Sequence, residues 1–293
     1  MSTIKNKIAG AIYGFAIGDA MGAATEFMNH AQIKKQYGQV TDIIGGGWLN
    51  LEAGKVTDDT QMTICVMDAL MGNIKLFEEC CMGNFIEWYR MGPKDVGGQC
   101  SRGIICAMST GHFIERDDAA LGNGSLMRAM PCALINRPDL NVAQGKLTHN
   151  NSECSQIILE YTRLIQNILY NNLYTYKVKS ILEPSGYIRD TFNNSLYWAG
   201  KPSFEKAIIG AVNDGGDADT IAAITGSIAG ARFGYDAIPQ RWIDQLDSEV
   251  KIYLEKFKNF VFPIYKSNFV WYNINKWLCG PISKKRRKSS EYN

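Results

Sequence analysis

Small and apolar residues recur at helical spacing through most of the chain, and the strict alternation that a half-buried strand needs is scarce. Over residues 8–28, glycines stand at 10, 14, 18 and 22, and Glu26 continues the step of four. Glycine inside a helix costs about 1 kcal/mol against alanine, so four of them predict a helix whose backbone must approach a neighbour closely. Because four residues advance roughly 400°, the stripe drifts by about 40° at each step. Residues 220–232 share this grammar, with Ala222, Gly226 and Gly230 before a stop at Gly234. The two small-residue helices are expected to pack on each other and to bring their polar ends into one site.

Between them the period stays helical. "TDDTQMTICVMDALMGNI" (57–74) opens with Asp58 and Gln61 at capping-box spacing, then places Ile64, Met67, Met71 and Ile74 on one face. Apolar residues repeat at three and four through 152–173, and 201–214 begins as a helix capped by Ser203. Glycine-rich loops are expected at 38–56 and 91–103. The pattern predicts an all-α fold, a single multi-helix domain over residues 1–282, followed by a basic tail, 283–293, expected to be disordered.

Composition agrees with a globular body: 293 residues, 46% hydrophobic and 20% charged. The formal charge of +2 is unevenly placed. "SKKRRKSSEYN" (283–293) holds five bases and one acid, leaving the rest with 26 bases and 28 acids. Such a body is not built to hold a polyanion, so any nucleic-acid contact falls to the 284–288 run, which nuclear import machinery could also read. Eight cysteines without a C-x-x-C pair are expected to be free thiols of a reducing compartment. Lys5 and Lys7 precede an apolar run, 8–18, that Asp19 interrupts after eleven residues, too short to span a bilayer. A soluble cytoplasmic protein without a membrane partner is expected, with nuclear entry open through the tail.

Candidate chemistry concentrates at two helix mouths. In "VNDGGDADTIAAITGSIAGARFG" (212–234), one aspartate would serve as a helix cap, but Asp217 and Asp219 are two. "TDDT" (57–60) echoes "DADT" (217–220). If the mouths converge, Asp58, Asp59, Asp217 and Asp219 gather four negative charges whose mutual repulsion destabilises the fold unless cations compensate it. Two divalent ions would do so. With Thr57 and Thr220 added, every donor is a hard oxygen, and with three histidines in the chain this suits magnesium or manganese rather than zinc. For either motif alone a plain helix cap remains the competing reading.

"GDAMGAATEF" (18–27), "TDDTQM" (57–62), "GNGSLMRAMP" (122–131), "SGYIRDTF" (185–192) and "GGDADTIAAITGSIAGA" (215–231) resemble the successive signatures of the ADP-ribosylglycohydrolase family. The resemblance runs from about residue 8 to 235 and is nearest to the dinitrogenase reductase-activating branch. It implies an all-helical fold, two magnesium or manganese ions, and an enzyme that cleaves the bond at the anomeric carbon of the distal ribose. The substrate would be an ADP-ribosylated protein, modified on arginine or serine, or a small ADP-ribose conjugate. Carried over by position, the metal ligands fall on Thr57, Asp58, Asp59, Asp217, Asp219 and Thr220, and catalysis on Glu26.

Asp95, in "GPKDVGG" (92–98), resembles an aspartate near the scissile bond. Asn123, Gly124, Ser125, Met127 and Arg128 belong to the implied ADP-ribose loop, with an internal ion pair the alternative for Arg128. Tyr187 would stack on the ligand or pack in the core, and His149 would line the cleft or be structural. Glu26 or Asp95 would act as general acid or base, since the leaving group must gain a proton. The rival readings are a two-metal phosphohydrolase acting on ADP-ribose and a non-enzymatic ADP-ribose-binding or structural protein.

Overall fold

A computed structural model describes residues 3–278 apart from 175 and 177, with side chains as far as Tyr265. Among these residues the α-helices are, in order, α1 (Ile4–Gly22), α2 (His30–Tyr37), α3 (Asp58–Met71), α4 (Phe77–Arg90), α5 (Gly98–Thr110), α6 (Met130–Leu134), α7 (Pro138–Lys146), α8 (Ser152–Asn171), α9 (Ile188–Ala199), α10 (Phe204–Val212), α11 (Ala218–Phe233), α12 (Gln240–Gln245) and α13 (Ser248–Leu278). No strand forms among the described residues, only isolated bridges between Gly46 and Leu51 and between Gly122 and Tyr187. The fold is all-α.

Helices α1 and α11 form the axis of the core. Residues 7–22 of α1 and 218–231 of α11 are buried on every side, as expected of helices apolar all round. They run antiparallel with their backbones in contact. A Cβ on Gly10 would lie 2.3 Å from the Gly230 carbonyl oxygen, one on Gly14 2.3 Å from that of Gly226, and one on Gly18 2.0 Å from that of Ala222. This seam is the reason for the stripe of small residues. Helices α9 and α10 pack on α11, α13 packs on α1, and α3 joins the inner layer to α4.

Several local boundaries differ from the expectation. α1 stops at Gly22, so Glu26 stands in the turn beyond it. Thr57, not Asp58, caps α3, its Oγ1 accepting the Asp59 N–H at 3.3 Å, while Gln61 turns away to accept from Trp88 Nε1 at 2.7 Å. A hydroxyl one residue earlier thus won the cap. α3 also ends before Ile74, which opens a short 3-10 turn and is exposed. Only 91–97 of the second predicted loop is irregular, because α5 begins at Gly98. Ser203 caps α10 as expected, accepting from the Lys206 N–H at 3.2 Å.

The apolar run 8–18 lies buried in α1, and no described helix is long and apolar enough to cross a membrane. The seven cysteines among the described residues are free. Cys279 and the 283–293 tail lie outside the described residues.

Candidate active site

The antiparallel seam sets the C-terminal end of α1 against the N-terminal end of α11: a Cβ on Gly22 would fall 2.5 Å from Asp219 Cα. Two glycines thread the chain into α11 between flanking backbones. Gly215 (φ +80°) and Gly216 (φ +64°) adopt conformations L side chains disfavour, and a Cβ would lie 2.1 Å from the Met28 carbonyl oxygen at the first and 1.9 Å from that of Pro184 at the second. The Phe27 N–H donates to Gly216 O at 2.7 Å, and the Gly216 N–H donates to Met28 O at 2.8 Å. These bonds bind the Glu26 turn to the mouth of α11.

Asp19 ties in the third element. Its carboxylate, fully buried near the end of α1, accepts the Thr57 N–H and the Thr60 N–H, each at 3.0 Å. The first turn of α3 is thereby drawn to the seam, and Asp58 and Asp59 face Asp217 and Asp219. None of the four acts as a simple cap. Asp217 occupies the cap position of α11, yet its carboxylate accepts from Asn123 Nδ2 rather than from the helix. Asp58 Oδ2 accepts from Gly97 N–H at 3.3 Å, and Asp59 Oδ1 from Thr220 Oγ1 at 3.2 Å.

Asp59 Oδ2 is buried with no hydrogen-bond partner. Carboxylate oxygens of Glu26, Asp217 and Asp219 lie within 4.8 Å of one another.

Burial dominates the electrostatics. It pushes Asp58 up to about 8, helped by the nearby charge of Asp95. Glu26 is likewise pushed up to about 8 by burial, against the pull of a Trp48 hydrogen bond and with the help of Asp95, Asp217 and Asp58. Asp59 and Asp219 rise well above the usual carboxylate range for the same first cause, and Asp19, Asp95 and Asp217 rise as well. No ion pair among the described residues offsets these carboxylates.

They open into a cleft of about 370 Å³ that also takes in Asp95, Asn123, Gly124, Met127, His149 and Thr220. The cleft floor is the turn at Asn123–Ser125, held by the Asn123 N–H on Gly186 O at 2.9 Å and by Asn123 Nδ2 on Thr191 Oγ1 at 2.9 Å. At Gly124 a Cβ would meet Cys100 Sγ at 2.7 Å and His149 Cε1 at 2.9 Å, so no other residue fits there without a shift. His149 Nδ1 pairs with Thr148 Oγ1 at 2.8 Å, and burial with the nearby Arg128 charge holds the ring neutral, its pKa down to about 3.

Four expected residues do not line the cleft. Thr57 is buried beneath it as the α3 cap. Ser125 is buried under α7, its carbonyl accepting from Gln144 Nε2 at 3.0 Å. Arg128 is fully buried and forms no ion pair among the described residues, and it meets the loop from beneath rather than from the cleft. It donates to Gln144 Oε1, Gln144 O, Gly124 O and Thr148 Oγ1, and its guanidinium stacks 4.8 Å from the Phe85 ring centroid. It braces the Gly124 turn and the His149 segment from below. Tyr187 points away, its hydroxyl donating to Glu153 Oε1 at 2.6 Å.

Asp19 and Trp48 were missed by the sequence reading. A lone acid inside an otherwise small and apolar helix was the available signal for Asp19. For Trp48, whose Nε1 donates to Glu26 Oε2 at 2.6 Å, nothing local pointed to the cleft.

The profile of the ADP-ribosylglycohydrolase family matches residues 1–183 and 160–265. The chain belongs to the ADP-ribosylglycohydrolase family. It is 35% identical to the ADP-ribosyl-[dinitrogen reductase] glycohydrolase of Rhodospirillum rubrum, over 85% of this chain and 93% of that one. Identity to the ADP-ribosylarginine hydrolase Tri1 of Pseudomonas putida is 30%, over 82% of this chain and 74% of the relative. A solved ADP-ribosylglycohydrolase-related protein complex superposes with a TM-score of 0.78 at 27% identity, covering 91% of this chain and 99% of that one.

In this glycohydrolase the carboxylate cluster fits divalent cations on its own chemistry. The carboxylate and hydroxyl donors gathered at the two helix mouths are hard oxygens, no basic side chain among the described residues pairs with them, and Asp59 Oδ2 lacks the partner that a buried carboxylate oxygen requires.

Proposed function

We propose that the protein hydrolyses the bond between the anomeric carbon of ADP-ribose and the guanidino nitrogen of a modified arginine, using two magnesium or manganese ions. The observation that carries the reading is the unpartnered Asp59 Oδ2 amid buried carboxylates in the cleft of a glycohydrolase. Arginine is favoured as the acceptor because a relative matched along most of the chain is named for ADP-ribosylarginine.

Asp58, Asp59, Asp217, Asp219 and Thr220 would hold the ions, together with Thr57, whose hydroxyl oxygen accepts one bond as the α3 cap and keeps a second lone pair. Bound there, the ions would supply charge neutralisation and a more acidic water. The chain's own groups do the rest. Trp48 engages Glu26 Oε2 and leaves the other oxygen to carry the proton of a carboxyl whose pKa burial raises in the metal-free protein. As the C–N bond breaks, its electron pair goes to the guanidino nitrogen, which takes that proton. Water oxygen bonds to the anomeric carbon, and Asp95 at the cleft wall accepts the proton it releases. The Asn123–Gly124 turn, fixed from below by Arg128, offers a flat backbone surface for the phosphates or ribose.

Incubating purified protein with an ADP-ribosylated arginine peptide tests the reading. Free ADP-ribose should appear with magnesium and stop with a chelator. AMP and ribose phosphate as products would instead establish the phosphohydrolase, and tight binding of ADP-ribose without turnover of any conjugate would leave a binding protein.

A further inference from the structure

Next to the cleft, and sharing Glu26 and Phe27 with it, lies a second groove of about 600 Å³ between the Glu26 turn, α2 and the Trp48 loop. Two large aromatic side chains stand over it in solvent: Phe27 is 67% exposed and Trp48 52%. Their ring centroids are 5.4 Å apart at a tilt of 48°. Single exposed aromatics are ordinary, but a paired set at a catalytic mouth is not.

The backbone holds both rings in place. Phe27 sits at φ +60°, a conformation rarely taken by a bulky residue, and its N–H bond to Gly216 O fixes it there. On the opposite side, a Cβ on Gly47 would lie 2.0 Å from the Ala23 carbonyl oxygen, so the loop before Trp48 is keyed against the same turn. The indole then reaches Glu26 Oε2 through Nε1. A strained backbone, a glycine contact and a hydrogen bond thus converge to present two ring faces beside one carboxyl group.

We propose that this aromatic pair and the groove behind it bind the acceptor side of the substrate: the guanidinium and side-chain stem of a modified arginine, together with the peptide that carries it. The inference rests on the hydrolase reading above and adds where the leaving group sits. Ring faces attract a planar guanidinium, and the carboxyl group under them completes its recognition. Continuity with the cleft puts this groove across Glu26 from the carboxylate cluster, where the bond between ribose and acceptor has to lie. Further out the groove is lined by Gln32, Lys35, Gln36 and Tyr37, with Gln36 Nε2 donating to the Tyr37 hydroxyl at 2.7 Å. The Lys35 ammonium stands at this outer end, where it suits a carbonyl or carboxylate of the carrier peptide rather than the guanidinium.

Steady-state kinetics on two substrates test the proposal: an ADP-ribosylated arginine peptide, and an ADP-ribose conjugate of methanol, which has no guanidinium or peptide. Phe27→Asn suits the left-handed backbone and removes the ring. It should raise KM for the peptide about tenfold while changing KM for the methyl conjugate less than about twofold. Trp48→Phe keeps a ring face and loses the bond to Glu26, so its peptide KM should stay near the wild-type value while kcat falls on both substrates.

Calorimetry with ADP-ribose reports whether each variant keeps a folded cleft. Equal changes on both substrates in Phe27→Asn, or no change on either, would overturn the acceptor site while leaving the hydrolase reading intact. Wild-type protein that released ADP-ribose from neither substrate would overturn both.

Discussion

Glu26 has to be protonated to serve as an acid and yet sits among carboxylates that resist sharing further charge. Burial and those neighbours hold its proton to about 8, and the Trp48 hydrogen bond fixes one of its oxygens. Glu26→Gln keeps the shape and the acceptor for Trp48 but has no proton to give. Turnover should fall at least about 100-fold with ADP-ribose affinity retained by calorimetry; joint loss of both would make Glu26 a ligand-positioning residue. Asp59 should answer differently, because its free Oδ2 is an electrostatic burden without a cation. In Asp59→Asn, activity and metal content should both drop, while the metal-free protein melts higher than metal-free wild type. A variant that kept full magnesium stoichiometry would remove Asp59 from the ligand set. The meeting of the two aspartate pairs in one cleft was legible in the sequence, because the pairs repeat one chemical pattern at two helix mouths. Arg128 was not, since a motif cannot say that an arginine will point inward and be satisfied by carbonyls, an amide and a hydroxyl.

At the scale of helices, the seam between α1 and α11 decides where every carboxylate sits. Its glycines were readable as a need for close approach, because only a packing demand offsets their helix cost. The ends of elements were harder to read, since caps compete locally: Thr57 displaced Asp58, and Gly98 began a helix inside an expected loop. Asp19 stayed hidden because its partners, the Thr57 and Thr60 amides, lie about 40 residues on in the chain and meet it only through the fold. The seam makes a prediction that separates packing from propensity. In Gly14→Ala the new methyl would sit 2.3 Å from a backbone oxygen of α11, so the helices must part, and stability should drop by about 3 kcal/mol. Gly83 lies exposed in the interior of α4 with nothing near its Cβ position, so Gly83→Ala should instead raise stability by about 0.5–1 kcal/mol. Urea unfolding of the two variants checks the contrast, and similar values for both would remove the close seam as the purpose of the stripe.

The whole molecule stores at its centre a set of carboxylates that the fold alone leaves uncompensated. Folded Glu26 and Asp58 hold protons up to about 8, and Asp59 and Asp219 hold theirs well above the usual range, whereas the unfolded chain releases them near pH 4. With folded pKa values raised, the folded state binds more protons through this interval. The stabilising contribution is therefore complete below about pH 4 and disappears as pH rises through about 8. Without metal, the protein should lose stability steadily across that window through this cluster. Divalent cations should reverse the sense of the dependence. Bound as proposed, they would take the deprotonated carboxylates of the folded state, so their stabilising effect should grow as protons leave. Thermal unfolding in chelator should show a melting temperature that falls from pH 5 to pH 8, and millimolar magnesium should restore it most at the alkaline end. A melting temperature equally high at pH 8 with and without magnesium would mean that the fold tolerates these charges unaided, and the carboxylate cluster would then need an explanation other than metal.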